Sequence, residues 1–516
     1  MLINLKQNLI KHKKDFFSFI ILITFSIMYM IYIYNNICIN TGFENDNYKF
    51  LYWGISISLL FIISIIIILI KVKTVNSYIL FIVLSTILGI TFLIVAPQKN
   101  GSDEMQHFFK TYEVATGQFI TDLNDEGKCI QKNVPKSFIE LVNSKNEDGS
   151  IKIHDLPEKY ELNLNMDEVT DRYGFAGTRG YSPVVYIPQA LGMFIGLKLN
   201  LKPLIIANLA RIFGFVAWMI MCAYAIKIIP FKKEFLLILA LLPANLTSAV
   251  TLSADTILNG ITLVLIAKVL QVYHIVDKIN IKDYLVLLGS SIIIGQCKMA
   301  YLPIIFICLL IPVKKYGNKK KYFIGNGIII FLTLLGTYIW MKLVAYEYYG
   351  IGQTNEQQQW ILTYPAYYII VMFRTIIEYF NNLFCGIAAG NNLYRARVQV
   401  PEFISLGLMA CLIISLWIKE SKINLKIWKK ILVICIMGAM SLLVLTAMYI
   451  SATTIVTGQI GTKIIEGLQG RYFIPIIILS VFLVNKKRID IDEKNLYAVN
   501  IMLQFVVILH TMQTFI

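Results

Sequence analysis

Long apolar runs alternate with short lysine-rich stretches along this chain. Ile55–Ile70, Ser77–Ala96 and Lys430–Ile450 are typical runs. A membrane's hydrocarbon core takes about 20 apolar residues per crossing helix, and the runs approach or reach that length. Periodicity within them is weak, as in helices surrounded by lipid or by other helices. A membrane barrel would show short segments of alternating polarity instead, and none is visible. The pattern predicts about thirteen helices, near 16–38, 51–70, 76–96, 204–228, 234–252, 255–274, 283–297, 299–313, 323–345, 402–418, 430–452, 471–485 and 495–514. A shorter apolar stretch, Val184–Leu199, contains Pro188 and reads as a shallow or re-entrant helix. The predicted class is all-α: a polytopic transmembrane helix bundle with a large polar loop after the third span.

Five units follow: N-terminal membrane helices in 1–96, the large loop 97–183, re-entrant and central helices in 184–345, a second polar segment 346–401, and C-terminal helices in 402–516. Positive residues resist translocation, so lysine clusters mark the cytoplasmic side. Lys11, Lys13 and Lys14 put the N-terminus inside, and the apolar run after them is too long for a cleaved signal, so it reads as an uncleaved first helix. Glu44 and Asp46 fit an outer loop at 40–50. Lys71 and Lys73, Lys227 with Lys232 and Lys233, Lys278 and Lys282, Lys314–Lys321, Lys419–Lys430 and Lys486–Arg488 then mark inner loops. The segment 346–401 stays outside, including its apolar run Tyr367–Phe384 interrupted by Arg374 and Glu378, because a crossing there would turn Lys419–Lys430 outward. The loop 97–183 holds fifteen Asp or Glu against ten Lys or Arg, as an acidic translocated domain should.

Composition agrees. Apolar residues make up 57% and charged residues 15%, below the roughly 25% usual in soluble domains. A net charge of +16 would point to nucleic acid in a soluble protein, but here the lysines lie in the loops between apolar runs, which excludes that partner class. Most of the eight cysteines fall inside apolar runs, no CxxC pair occurs, and Cys129 is alone in the large loop, so no disulfide framework is expected. Walker, GxSxG and zinc patterns are absent, and His154, His274 and His510 have no partners at metal spacing.

The assigned topology brings five polar features to the outer ends of helices: Asp103 with Glu104, Asp255, Lys298, the 346–401 segment and Arg471. In Gly101-Ser-Asp-Glu-Met-Gln-His107, Ser102 suits an N-cap and the acids suit the first helical turn, where they complement the helix dipole. Asp103 and Glu104 also lie four and three residues before His107, within helical reach of its imidazole. Two acids and a His at a membrane surface suit a general base, or a divalent cation such as Mg or Mn. Ser253-Ala-Asp255 reads as the cap and first turn of the next helix, or, with Asn259 one turn deeper, as the wall of a substrate cavity. Lys298 and Arg471 either snorkel to the interface or bind a lipid phosphate. Tyr181, Tyr186 and Gln189, where the loop re-enters the membrane, and Gln469 and Tyr472 beside Arg471 suit interfacial anchoring or contact with a sugar.

These motifs together resemble a bacterial family of predicted multi-spanning membrane proteins known as domain of unknown function number 2142. The resemblance rests on Ser102-Asp-Glu-Met-Gln-His107 followed by Thr116-Gly117, on Tyr181-Ser-Pro-Val-Val-Tyr-Ile-Pro188, on Leu242-Pro243 leading to Ser253-Ala-Asp255, and on Gln469-Gly-Arg-Tyr-Phe-Ile-Pro475, across roughly residues 80–485. That family is similar to the GT-C glycosyltransferases, which carry an acidic motif in the first large outer loop and take a sugar from a polyprenyl-phosphate carrier. The resemblance implies a GT-C-like fold in which the first two helices are an N-terminal addition. It also implies an inverting transferase in the bacterial plasma membrane, its active face extracytoplasmic, with a glycan or lipid-linked acceptor. Asp103 or Glu104 would act as base, and Lys298 and Arg471 would hold the donor phosphate. A transporter or flippase of lipid-linked glycans would instead need charges deep in its helices, and a non-catalytic subunit of a polysaccharide assembly system would use its acids only as caps.

Overall fold

The computed structural model describes residues 13–41, 46–73, 75–174, 176–344, 354–389, 393–394, 397–419, 425–484 and 486–516. Lys11, Glu44 and parts of the predicted polar segment 346–401 and basic loop Lys419–Lys430 lie outside them.

Every predicted apolar segment is helical: Lys13–Thr41, Asp46–Val72, Ser77–Val95, Pro203–Ile228, Lys233–Leu241 with Pro243–Val250, Asp255–His274, Ile281–Cys297, Met299–Leu310, Lys319–Leu343, Glu402–Trp417, Ile427–Ile450, Gly470–Phe482 and Glu493–Phe515. Eight helices among the described residues are long and apolar enough to cross a membrane, or up to ten if each of two bent pairs is one span. Met299–Leu310, Glu402–Trp417 and Gly470–Phe482 are shorter apolar helices. Met299–Leu310 is a 3-10 helix with Pro303 inside, and the missing proline N–H works against α-helical bonding there. The expected single helix 234–252 is broken by Pro243, with a 59° bend between its halves.

The polar loop also departs from an all-helical reading. It carries a small antiparallel sheet of Asp122–Leu123, Cys129–Pro135 and Val169–Tyr173, the middle strand pairing with both others. Phe108, Phe109 and Tyr112 of the helix Glu104–Ala115 pack with Val134, Phe138 and Leu141 of the loop. The same cluster takes in Met193 of the short helix Ile187–Lys198, and Ala207 and Ala210 of the next span. Burial of these side chains fuses the loop to the membrane bundle. All eight cysteines are free.

The helix ends fall into two groups. At one end, Lys232 Nζ donates to Leu416 O at 2.5 Å, Lys419 pairs with Glu234 at 2.6 Å and also with Glu493, and Lys71 meets Asn495. At the other, the loop meets the ends of several helices: Trp340 Nε1 donates to Gly180 O at 2.8 Å, and Arg397 Nη2 donates to Asp148 O at 2.9 Å. The ends that the lysine pattern separates are therefore separate in the fold.

Candidate functional site

The chain leaves the helix Ser77–Val95 and begins the helix Glu104–Ala115 after a tight turn. Ser102 is not the N-cap. Asp103 is, in the left-handed region at φ 56°, with no side-chain cap bond. The cause lies in the next residue: Glu104 folds back, and its Oε2 accepts the Gly101 N–H at 2.9 Å, closing the turn that a serine would have capped. Gly101 fits because a Cβ there would lie 2.9 Å from Glu104 Oε2 and from the Thr251 side chain. Asp is among the residues that tolerate positive φ.

The two adjacent acids therefore differ. Glu104 is buried; its Oε1 accepts the Leu252 N–H at 3.2 Å and lies 3.3 Å from Arg211 Nε. Arg211, also buried, donates from Nε to Val250 O at 2.8 Å and from Nη2 to Ala96 O at 3.1 Å. This ion pair fastens the end of the third helix, the turn at 101–104 and the hairpin turn at 250–252 to one another. Asp103 stands above it, exposed.

His107 lies one turn further on, buried. Its Nδ1 shares a 2.7 Å hydrogen bond with Tyr186 Oη, and its ring stacks on Tyr181 at 5.7 Å. Burial pushes the imidazole down to about 4; Asp103 and Asp255 oppose the shift, and Lys298 and Arg471 add to it. Burial likewise raises the Tyr181 phenol to about 12. Gln189 donates from Nε2 to Ser253 O at 3.0 Å and accepts a 3.5 Å bond from Thr111, tying the helix Ile187–Lys198 to the 253–255 turn.

Ser253 Oγ accepts the Asp255 N–H at 3.1 Å, but the N-cap of the helix is Ala254, not the expected Ser253. The Asp255 side chain is otherwise engaged: Lys298 Nζ lies 2.5 Å from its Oδ1. The same Nζ is 5.2 Å from the Tyr472 ring and 5.9 Å from the Tyr181 ring. The Arg471 guanidinium stands 5.4 Å over Tyr472, whose carbonyl accepts a 2.9 Å bond from Tyr301. Asp103, His107, Tyr181, Tyr186, Asp255, Lys298, Arg471 and Tyr472 thus form one cluster. Asn259 donates to Asn245 Oδ1 at 2.9 Å. Gln469 Oε1 is buried with no hydrogen-bond partner among the described residues.

Beside the cluster a narrow cleft, with room inside for about one water, is lined by Ser102, Thr247, Ser248, Thr251, Tyr394 and Arg471, among others. Arg471 Nε and Tyr394 Oη are both buried and lack hydrogen-bond partners among the described residues. Hydroxyls of Thr247, Ser248 and Thr251 donate back to their own helix, at 2.7, 2.8 and 3.0 Å, so their lone pairs remain as acceptors. Among the described residues no three His, Cys, Asp or Glu side chains gather to hold a metal ion. With Glu104 committed to Gly101, Leu252 and Arg211, the trio Asp103, Glu104 and His107 does not fit a divalent cation.

Arg211 and Tyr394 escape the sequence reading. Arg211 carried a usable signal, a lone cation within an apolar run, since charge there is costly unless paired. Tyr394 carried none: it lies in an irregular segment, at φ 49°.

The sequence profile of a family described as "Predicted membrane protein (DUF2142)" matches residues 84–480. No curated protein and no solved structure matches the chain. The matched region contains the whole cluster. The helices outside it at either terminus pack on one another, with Tyr29 Oη 2.7 Å from His510 Nε2 and Ser26 Oγ 3.5 Å from Met502 Sδ.

Proposed function

We propose, for a chain that belongs to the DUF2142 family of predicted membrane proteins, a glycosyltransferase that moves a sugar from a polyprenyl-phosphate carrier to a cell-surface glycan or lipid-linked acceptor. The reaction would take place at the extracytoplasmic face of the bacterial plasma membrane. The observation that carries the reading is Arg471: its buried Nε has no acceptor among the described residues, and it lines a cleft shared with Ser102, the neighbour of Asp103. A phosphate oxygen would satisfy that donor in a charge-assisted bond. Lys298 is already neutralised by Asp255, so it contributes field rather than a free hand for the ligand.

In this reading the acceptor hydroxyl gives its proton to Asp103 as its oxygen attacks the anomeric carbon. The bond from that carbon to the phosphate oxygen breaks on the opposite side, with inversion. The electron pair stays on the departing polyprenyl phosphate, next to Arg471. A positioned base contributes typically ~10²–10⁴-fold. Glu104 holds the turn and takes no proton. His107 stays neutral at physiological pH and positions Tyr181 and Tyr186. A carrier would need unsatisfied charge along its path. Of two cations within helices, Arg211 pairs with Glu104 while its buried Nη1 has no partner among the described residues, and Lys268 pairs with Asp283 at 3.1 Å.

The test is transfer by the purified protein in nanodiscs, from a labelled polyprenyl-phosphate sugar to candidate acceptors. Asp103→Asn is expected to abolish turnover and keep donor binding, and Arg471→Gln to weaken donor binding. Wild-type turnover in Asp103→Asn would remove the base assignment. Donor binding unchanged in Arg471→Gln would remove the phosphate assignment.

A further inference from the structure

The helices Thr354–Thr363 and Pro365–Glu378 meet at 107°, and Phe380–Ala388 follows. At 1.5 Å per residue the bent pair reaches only about 22 Å end to end, less than a ~30 Å core. Both flanks are tied to the loop end of the bundle. Before the elbow, Arg179 donates to Val344 O and Trp340 donates to Gly180 O. After it, Arg397 reaches Asp148 O, and Asn381 of the elbow reaches Glu402 at 2.7 Å. The inner face is held there too: Tyr368 stacks on Tyr449 at 5.3 Å, and Thr375 Oγ1 accepts the Ile465 N–H at 2.9 Å.

The outer face is a stripe at helical spacing, Ile370, Phe373, Ile377 and Phe380, exposed by 51, 64, 74 and 62%. Such a stripe is too apolar for water. It is flanked by Trp360, Tyr364 and Tyr367, rings that favour the membrane interface. The helix it packs on, Ile427–Ile450, exposes its own apolar side chains Leu442 and Leu443. Independently of the proposed reaction, we propose that residues 354–388 form a re-entrant elbow that enters and leaves the leaflet on the loop side, its stripe against acyl chains. Phe380–Ala388 also packs on Gly470, where a Cβ would collide with the backbone of Leu383 and Gly386. Seating the elbow in lipid therefore also fixes the residue next to Arg471.

The experiment uses the full chain in sealed vesicles with Cys435, the exposed native cysteine, changed to Ser. Single cysteines are placed by Phe373→Cys and Ile377→Cys, with Asp125→Cys in the loop as the aqueous control. The stripe cysteines are expected to react with a membrane-impermeant maleimide about tenfold or more slower than the control, and a bimane attached there to be quenched by brominated acyl chains. Thr363→Cys and Asn382→Cys are expected to be labelled from the same side of the membrane. Stripe labelling at the control rate would mean a water-facing elbow; protection without quenching would mean a protein partner such as a second copy; labelling of 363 and 382 from opposite sides would mean a span. Each of those results overturns the proposal.

Discussion

Asp103 and Glu104 are neighbours with the same chemistry, and the structure predicts opposite phenotypes for them. In Glu104→Ala, the Gly101 and Leu252 N–H groups lose their carboxylate acceptor in a buried setting. Each such orphan costs about 1–3 kcal/mol. Arg211 becomes a buried cation without a counter-charge, and breaking a buried pair costs about 3–5 kcal/mol. These terms share one network and do not add, so the expected loss is roughly 4 kcal/mol or more. Glu104→Gln keeps one acceptor oxygen and should fall between. Asp103→Asn changes an exposed side chain and should leave stability nearly untouched while removing the proposed base. Thermal unfolding of the detergent-purified variants, followed by size-exclusion chromatography, measures the order: wild type and Asp103→Asn together, then Glu104→Gln, then Glu104→Ala. If Glu104→Ala unfolds at the wild-type temperature, the anchoring role is wrong.

Other expectations rest on separate contacts. Because burial holds His107 at about 4 against an ordinary 6.5, the unfolded chain binds its proton first as pH falls. His107 should therefore cost no stability above pH 6.5, cost progressively more between 6.5 and 4, up to roughly 3 kcal/mol, and level off below. A melting curve against pH should lose that component in His107→Gln. Lys298→Met leaves Asp255 buried and unpaired and should lower the melting temperature, whereas Lys298→Met with Asp255→Asn should recover much of it; no recovery would mean that the pair is not the source of the loss. Tyr394→Phe should melt like wild type, since its hydroxyl has no partner among the described residues, yet bind the donor more weakly in the binding assay used for Arg471→Gln.

The helices were legible because apolar length and lysine position are local signals that survive folding. Even the grouping of helix ends followed from them: Lys232, Lys419 and Glu493 are far apart in sequence and meet in one network. The number of crossings was less legible, since a 12-residue apolar run reads alike whether it crosses or packs inside, and only the fold reveals the 3-10 geometry of Met299–Leu310. The small sheet of the loop was invisible, its strands being as short as two residues. At the site, the sequence could bring Asp103, Asp255, Lys298 and Arg471 to one end of the bundle but could not divide labour among them, because that depends on partners distant in the chain. Glu104 is an anchor only because Arg211 is 3.3 Å away, and Lys298 is half-spent only because Asp255 reaches it first. Subtracting the charges that already have partners leaves, among the described residues, Arg471 Nε and Tyr394 Oη as the buried groups of the cleft that still need an acceptor or a donor. A ligand that satisfies both must bring polar atoms into a cleft walled by hydroxyl lone pairs, and an anionic group bearing hydroxyls meets that requirement where an apolar chain alone does not.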